Sequence, residues 1–458
     1  MTLAVADLIE QSIAPLALKD GAKLVLAYSG GVDSAVLCHG LAQYAQAQPQ
    51  FQYLLVHVHH GLNPAADSWV AHCHQQALQY QLPFKCQRVT LTLGARISTE
   101  AAARDARYGV FTELVNPGDV LLTAHHQDDQ LETVLLALKR GLGPKGLAAM
   151  GQVQTFAQQA WLVRPLLSVS REQIEAAAKQ HQIGHIEDDS NHDTQYDRNF
   201  LRHEIIPRLK ERWSAISVTS SRSAALCAQQ QTLLDEVVSE RLPALIEHNA
   251  ALGKPCMDLS LLAKHSEHWQ AVYLRAFIEA CGFNPPSQAQ LQNLLLQVLH
   301  AKSDAQINIV LNGLLAKRYQ QRLYLLEAKH YQQPLSVDSG VIFDVNEHKT
   351  QQQIAVSDGS CIRIHRLENT SGLKLPNSTQ QVSIQFGAPG STVVHPSTRQ
   401  KSRELKKVWQ EFAVPPWERS RVPLVYFDDK LVCAVGYWIE KAYLSRKGEP
   451  SIQLQYHQ

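Results

Sequence analysis

The chain has 458 residues, 45% of them apolar and 19% charged, with a formal charge of +1 at pH 7. That length fits two to four domains of about 100–200 residues each. The near-zero charge excludes a basic field over the whole molecule, so any nucleic-acid surface must come from local clusters. No run of about 18 apolar residues signals a membrane span. Met1–Glu10 carries acidic rather than basic charge, unlike a secretory leader, so a cytoplasmic protein without a membrane partner is expected. The eight cysteines form no C-x-x-C pair, which removes the usual signature of zinc ribbons and iron–sulfur sites and leaves free thiols as the expectation.

From Lys23 onward, short apolar runs alternate with stretches long enough for a covering helix. Leu24–Tyr28, Tyr53–Val58, Phe84–Val89 and Asp119–Ala124 read as strands, and Trp161–Leu166 as one more. This spacing predicts β-α-β units with right-handed crossovers, an α/β domain with a doubly wound parallel sheet. Sites in such sheets lie outside the carboxyl ends of the strands. Beyond Pro207 the texture changes. Residues 211–300 read as helical and rich in Leu, Ala and Gln, 336–359 as a polar linker, and the part from Cys361 as a small α+β domain with strands at Val382–Phe386 and Leu424–Phe427. The divisions expected are 1–210, 211–335, 336–359 and 360–458.

The first strand runs into Ser29-Gly30-Gly31-Val32-Asp33-Ser34 and then an apolar helix. Glycines let successive N–H groups turn toward an anion, and the helix adds its positive end. The pattern is neither a Walker A loop nor G-x-G-x-x-G. S-G-G-x-D-S after a strand resembles the PP-loop of ATP-pyrophosphatases, which cleave ATP between the α- and β-phosphates.

The second strand ends in His57-Val58-His59-His60-Gly61-Leu62, whose spacing fits no ordinary zinc motif. Glu100, Arg104 and Arg107 fall on one helix, either as a salt-bridged surface or as guanidinium groups for phosphate. The fourth strand leads into Ala124-His125-His126-Gln127-Asp128-Asp129-Gln130-Leu131-Glu132-Thr133. Helical spacing puts His125, Asp128, Asp129 and Glu132 on a shared face, where carboxylates bind Mg²⁺ or a substrate ammonium, or simply begin a solvated acidic helix. Asp189, Asn191 and Asp193 mimic an EF-hand start, but Thr194 and Phe200 stand where Gly and Glu are needed, so a calcium site fails. Near the end, seven Lys or Arg face three Glu between Arg399 and Arg421, with Trp409 and Trp417 among them. That mixture suits RNA phosphates and base stacking, and suits a solvated face with core tryptophans as well.

These segments, in order, resemble the bacterial tRNA(Ile)-lysidine synthases: residues 29–34, 57–62, 100–108 and 124–133, then Gly143 to Met150, Arg164-Pro165-Leu166-Leu167, E-D-D-S-N at 187–191 and R-N-x-x-R at 198–202. Lys406-Lys407-Val408-Trp409 and the run from Val414 to Leu424 are similar to that family's C-terminal domain. The resemblance implies two steps: a cytidine carbonyl attacks the ATP α-phosphate, and the lysine ε-amine then expels AMP, turning a CAU anticodon from reading AUG to reading AUA. It implies that Ser29, Gly30, Gly31, Val32, Asp33 and Ser34, with His57 and Arg107, hold ATP. Arg104 would neutralise phosphate charge, and Asp129 and Glu132 would position lysine with His125 lining the pocket. Asp33 and Asp129 are the expected Mg²⁺ ligands. Arg198, Arg202, Lys406, Lys407, Trp417, Arg419 and Arg421 are expected to touch the tRNA(Ile), with the chain a monomer or a homodimer.

Overall fold

A computed structural model describes residues 3–457, apart from 62, 92–98, 190–192, 250–252, 302–306, 338–350, 369, 378–379 and 447, and apart from the side chains of 100, 158 and 351. Leu62, the Glu100 side chain, Ser190-Asn191-His192 and most of the expected linker therefore fall outside the described residues. The chain forms two compact units, 1–235 and 236–458.

The first unit opens with helix α1 (Val5–Ile13) and strand β1 (Lys23–Ala27), followed by α2 (Val32–Ala47), β2 (Gln52–His59), α3 (Ala66–Gln79), β3 (Phe84–Arg88), α4 (Thr99–Leu114), β4 (Val120–Leu122) and α5 (Gln127–Lys139). After the single turn α6 (Pro144–Leu147), a hairpin of β5 (Val153–Phe156) and β6 (Ala160–Val163) closes the sheet. The strand order is β3-β2-β1-β4-β6-β5, parallel throughout except for β5 on the edge. The order reverses between β1 and β4, which opens the crevice of a doubly wound sheet at their carboxyl ends. Burial on both faces explains the continuous apolar runs of β1 and β4. Leu24 and Leu26 pack toward one cluster with α1 and α2, and Val25 and Leu121 toward another with Val110 and Phe111 of α4. Then come α7 (Arg171–Gln180), α8 (Asp197–Phe200), one π-helical turn over Leu201–Ile205, α9 (Ile206–Arg212) and the long α10 (Ile216–Arg241).

In the second unit the expected helices appear as α11 (Leu259–Leu262), α12 (Glu267–Ala280) and α13 (Gln288–His300). They accompany an antiparallel sheet that the helical reading leaves out: β7 (Ile246–Asn249), β8 (Lys254–Asp258), β9 (Asn308–Leu311), β10 (Leu314–Tyr319) and β11 (Arg322–Glu327), in the order β7-β8-β11-β10-β9. Within the expected linker, Gln351–Ala355 forms β12, paired with β13 (Cys361–Leu367). With β14 (Leu373–Lys374) and the last strand it makes one four-stranded sheet. Strands β15 (Val382–Phe386), β18 (Pro423–Phe427), β19 (Lys430–Ala434) and β20 (Trp438–Ile439) make another; between them in the chain lie the short pair β16 (Val393–Val394) and β17 (Arg403–Glu404), α14 (Leu405–Glu411) and α15 (Pro416–Arg419). The chain ends in β21 (Ser451–His457). Ile362 and Ile364 of the first sheet share a core with Ile384, Val425 and Phe427 of the second. Among the described residues no helix is long and apolar enough to cross a membrane.

Candidate functional site

Beyond β1 the chain turns through Ser29-Gly30-Gly31 into α2. Gly30 adopts φ +89°, and a Cβ there would collide with Ile186 Cδ1 and lie 2.8 Å from Cys73 Sγ. Conformation and space both demand glycine. Ser34 Oγ accepts the Gly30 N–H at 3.1 Å, donates to Gly31 O at 3.0 Å and lies 3.0 Å from Ser29 Oγ. The two hydroxyls brace the loop, and no side chain caps α2 at Gly31. The first-turn N–H groups of α2, Val32 to Ser34 among them, thus remain an anion-binding end. Beneath the loop, buried His57 donates from Nδ1 to Tyr28 O at 3.0 Å, and burial keeps its imidazolium below the usual range.

The carboxylates stand across the β1–β4 crevice. Asp33, in the first turn of α2, takes Arg171 Nη1 on both oxygens at 2.8 Å. Asp129 and Glu132, one turn apart on α5, share Arg202. Its Nε donates to Glu132 Oε1 at 2.8 Å, and its Nη2 to Glu132 Oε2 and Asp129 Oδ1 at 3.2 Å each. Arg198 Nη1 stands 3.9 Å from Glu132. Burial raises the pKa of the fully enclosed Glu132 carboxyl, with Arg202 pulling the other way. Burial also works against the Asp129 carboxylate, yet His126, His125 and Arg202 hold it below the ordinary range.

The expected shared face of four residues is only partly formed. His125 precedes α5 and bonds through Nδ1 to Thr123 Oγ1 at 3.0 Å. Burial, then Arg164, Arg104 and Arg107, push its imidazolium down to about 3 against the pull of Asp129. Asp128 points elsewhere, to Lys210 Nζ and Ser217 Oγ at 2.8 Å each, because neighbours on a helix diverge by about 100°. Lys210 also reaches Glu172 at 2.8 Å, fastening α9 to α5 and α7.

On α4, the Arg104 guanidinium lies 4.8 Å from the Tyr108 ring centre and that of Arg107 5.9 Å. Buried Arg164 donates to Gly151 O at 2.6 Å and to Gln154 Oε1 at 2.8 Å. His60 is pushed down to about 4, by burial first and then by Arg107.

In the second unit, Lys406 and Lys407 both approach Glu404, at 3.3 and 3.4 Å. Trp417 packs edge-on against Tyr319 and Tyr324. Arg421 is buried, bonded to Asp358 at 2.8 Å and set over the Tyr331 ring. Arg419 Nε donates to Val414 O at 3.1 Å.

Sequence reasoning missed Arg171, His126, Lys210 and Ser217. Arg171 and Lys210 lie in no recognisable motif. His126 had a signal: it stands three residues before Asp129 at the start of an acidic helix, the position of an N-cap.

Three family models match: a PP-loop domain over residues 1–209, a TilS substrate binding domain over 257–324, and a TilS substrate C-terminal domain over 382–456. The chain is 53% identical over 448 residues to the tRNA(Ile)-lysidine synthase of Shewanella woodyi, covering 97% of this chain and 95% of that one. It is 48% identical to the tRNA(Ile)-lysidine synthase of Shewanella oneidensis, covering 95% and 94%. Among solved structures it is similar to the U34-tRNA thiolase NcsA from Methanococcus maripaludis, with a TM-score of 0.39 and 16% identity over 48% of this chain and 77% of that one.

Proposed function

The chain belongs to the tRNA(Ile)-lysidine synthase family, and from that premise we propose that it uses ATP to join the ε-amine of lysine to C2 of the wobble cytidine in a tRNA(Ile) with a CAU anticodon. The observation that carries the reading is the Asp129–Glu132 pair. It stands after β4, beside β1 and its phosphate loop, and it already embraces a cationic side chain.

In the first step the cytidine O2 attacks the α-phosphate and pyrophosphate leaves. Ser29 to Ser34 and the start of α2 hold the phosphates, and Arg104 and Arg107 offset the charge that develops. In the second step the lysine amine attacks C2 and AMP leaves. Asp129 and Glu132 receive the ε-ammonium where Arg202 sits in this structure, with His125 as a neutral wall of the pocket. The amine has to lose a proton before attack, since lysine has a pKa of about 10.4 in water. The raised Glu132 carboxyl is suited to accept it.

Asp33 and Asp129 are hard oxygen donors and would hold Mg²⁺, which ordinarily takes one or two carboxylates beside substrate phosphates and would supply neutralisation of phosphate charge. The tRNA backbone is met by Arg198 beside the site and by Lys406, Lys407 and Arg419 in the second unit, whereas Trp417 and Arg421 serve the fold.

The test combines the protein with ATP, Mg²⁺, radiolabelled lysine and a tRNA transcript bearing CAU. ATP- and cytidine-dependent label in the RNA is expected. Pyrophosphate release without label would rule out lysine as the nucleophile.

A further inference from the structure

His126 stands at the join between the phosphate loop and the acidic helix, its side chain almost wholly buried. Its ring Nδ1 accepts the Asp128 N–H at 3.2 Å, which caps α5. An accepting nitrogen carries no hydrogen, which leaves Nε2 as the ring's donor. That N–H faces two carboxylates at once, with Nε2 3.7 Å from Asp33 Oδ1 and 3.5 Å from Asp129 Oδ2. Both distances exceed a direct hydrogen bond, yet in a buried setting the N–H dipole acts on both charges. The His126 backbone N–H adds a direct bond to Asp129 Oδ2 at 2.9 Å. Asp33 follows β1 and Asp129 follows β4, neighbouring parallel strands with separate helices. One imidazole therefore spans the switch point of the sheet.

We propose that His126 is a positioning residue whose Nε2–H sets the spacing of Asp33 and Asp129, so that the ATP side and the lysine side of the site are organised together. This rests on the reading above, in which Asp33 serves ATP and Asp129 serves lysine. Arg171 and Arg202 clamp the same carboxylates from outside. His126 is the side chain that stands between both, 3.7 Å from Asp33 and 3.5 Å from Asp129.

His126→Asn separates capping from bridging. Asparagine is a strong N-cap and keeps an acceptor for the Asp128 N–H, but its short amide does not reach where Nε2 stands. The expected result is a rise of roughly tenfold or more in the KM for both ATP and lysine, the order seen when an orienting partner is lost. The KM for tRNA and the melting temperature should stay at wild-type values. His126→Gln, whose amide extends one bond further, should recover part of the loss. Wild-type KM values in His126→Asn would overturn the proposal, as would a fall in stability with all three KM values shifted together. ATP binding by calorimetry without tRNA keeps the two readings apart. A wild-type protein that places no lysine in tRNA refutes the reaction, while weakened ATP binding in His126→Asn still upholds the bridge to Asp33, and unchanged binding removes it.

Discussion

Glu132→Gln is the substitution with the most to say about the site, because it deletes one charge at nearly constant volume. The wild-type carboxylate has no exposed surface and takes Arg202 at 2.8 and 3.2 Å. A hydrogen bond to a charged group contributes about 1.5–3 kcal/mol. If lysine's ammonium takes over that partnership, kcat/KM for lysine should fall roughly 10- to 150-fold, at about 1.4 kcal/mol per factor of ten. Pyrophosphate release with tRNA and ATP but no lysine should be untouched, since the proposed mechanism gives Glu132 no part in the first step. The assay is a lysine saturation series with a CAU transcript beside a lysine-free pyrophosphate assay. Wild-type kcat/KM for lysine would refute the assignment, and an equal loss in both assays would move Glu132 to the first step. Stability carries a second signature. Arg202 is 39% exposed, so solvent screening keeps the ion pair's share at the low end of that range. Burial raises the Glu132 pKa in the fold, so its contribution to stability is fullest below the ordinary glutamate value of about 4.3 and is lost as pH rises through the raised value. The urea-midpoint difference between wild type and Glu132→Gln should therefore shift against the wild type across that window and be flat above it. A shift the other way would mean that Arg202 outweighs burial.

Gly30→Ala should abolish pyrophosphate release and cost at least about 1–2 kcal/mol of stability, from the positive φ and the clash with Ile186; an active variant would refute the loop geometry. Asp128→Asn, which keeps one acceptor oxygen for Ser217 but turns the oxygen facing Lys210 into an NH2 donor and removes the charge, should lower the urea midpoint by the equivalent of about 1–3 kcal/mol and leave the KM for ATP unchanged. Lys406→Gln with Lys407→Gln should reduce the slope of log affinity for tRNA against log salt by about 1.4–1.8, two phosphate contacts' worth. Trp417→Ala should instead destabilise the second unit by about 3 kcal/mol and leave that slope alone.

The parallel sheet was legible because β1, β2 and β4 are buried on both faces and read as unbroken apolar runs. The phosphate loop was legible because Gly30 answers a backbone demand that no other residue meets. The hairpins of the middle region were harder. Asn312-Gly313, with φ of +48° and +86°, is the strongest short hairpin signal a sequence offers, and the helical texture around it obscured it. The next turn, Gln320-Gln321, adopts φ of +47° and +60° with residues that rarely do, so nothing local announces it. Ion pairing was the least legible layer. Arg171 meets Asp33 from 138 residues away and Arg202 meets Asp129 from 73. Trp417 illustrates the same limit, since a tryptophan among lysines looks alike whether it stacks on a base or packs between two tyrosines.

The charges of the site explain why those distant partners had to exist. Asp33, Asp129 and Glu132 come from the part of the unit up to α5, where the loop and the acidic helix are. Unit charges 4 Å apart interact by about 4 kcal/mol at an effective dielectric of 20, so acids gathered in one crevice call for cations beside them. Their counter-ions, Arg171, Arg198 and Arg202, all come from the stretch after β6 that begins with α7. Neither half is a site alone. The motifs in 29–132 supply the acids, and the less distinctive segment 171–202 supplies the arginines paired with them, with His126 at the seam. A chain of net charge +1 can in this way place a concentrated cationic wall against its own acids.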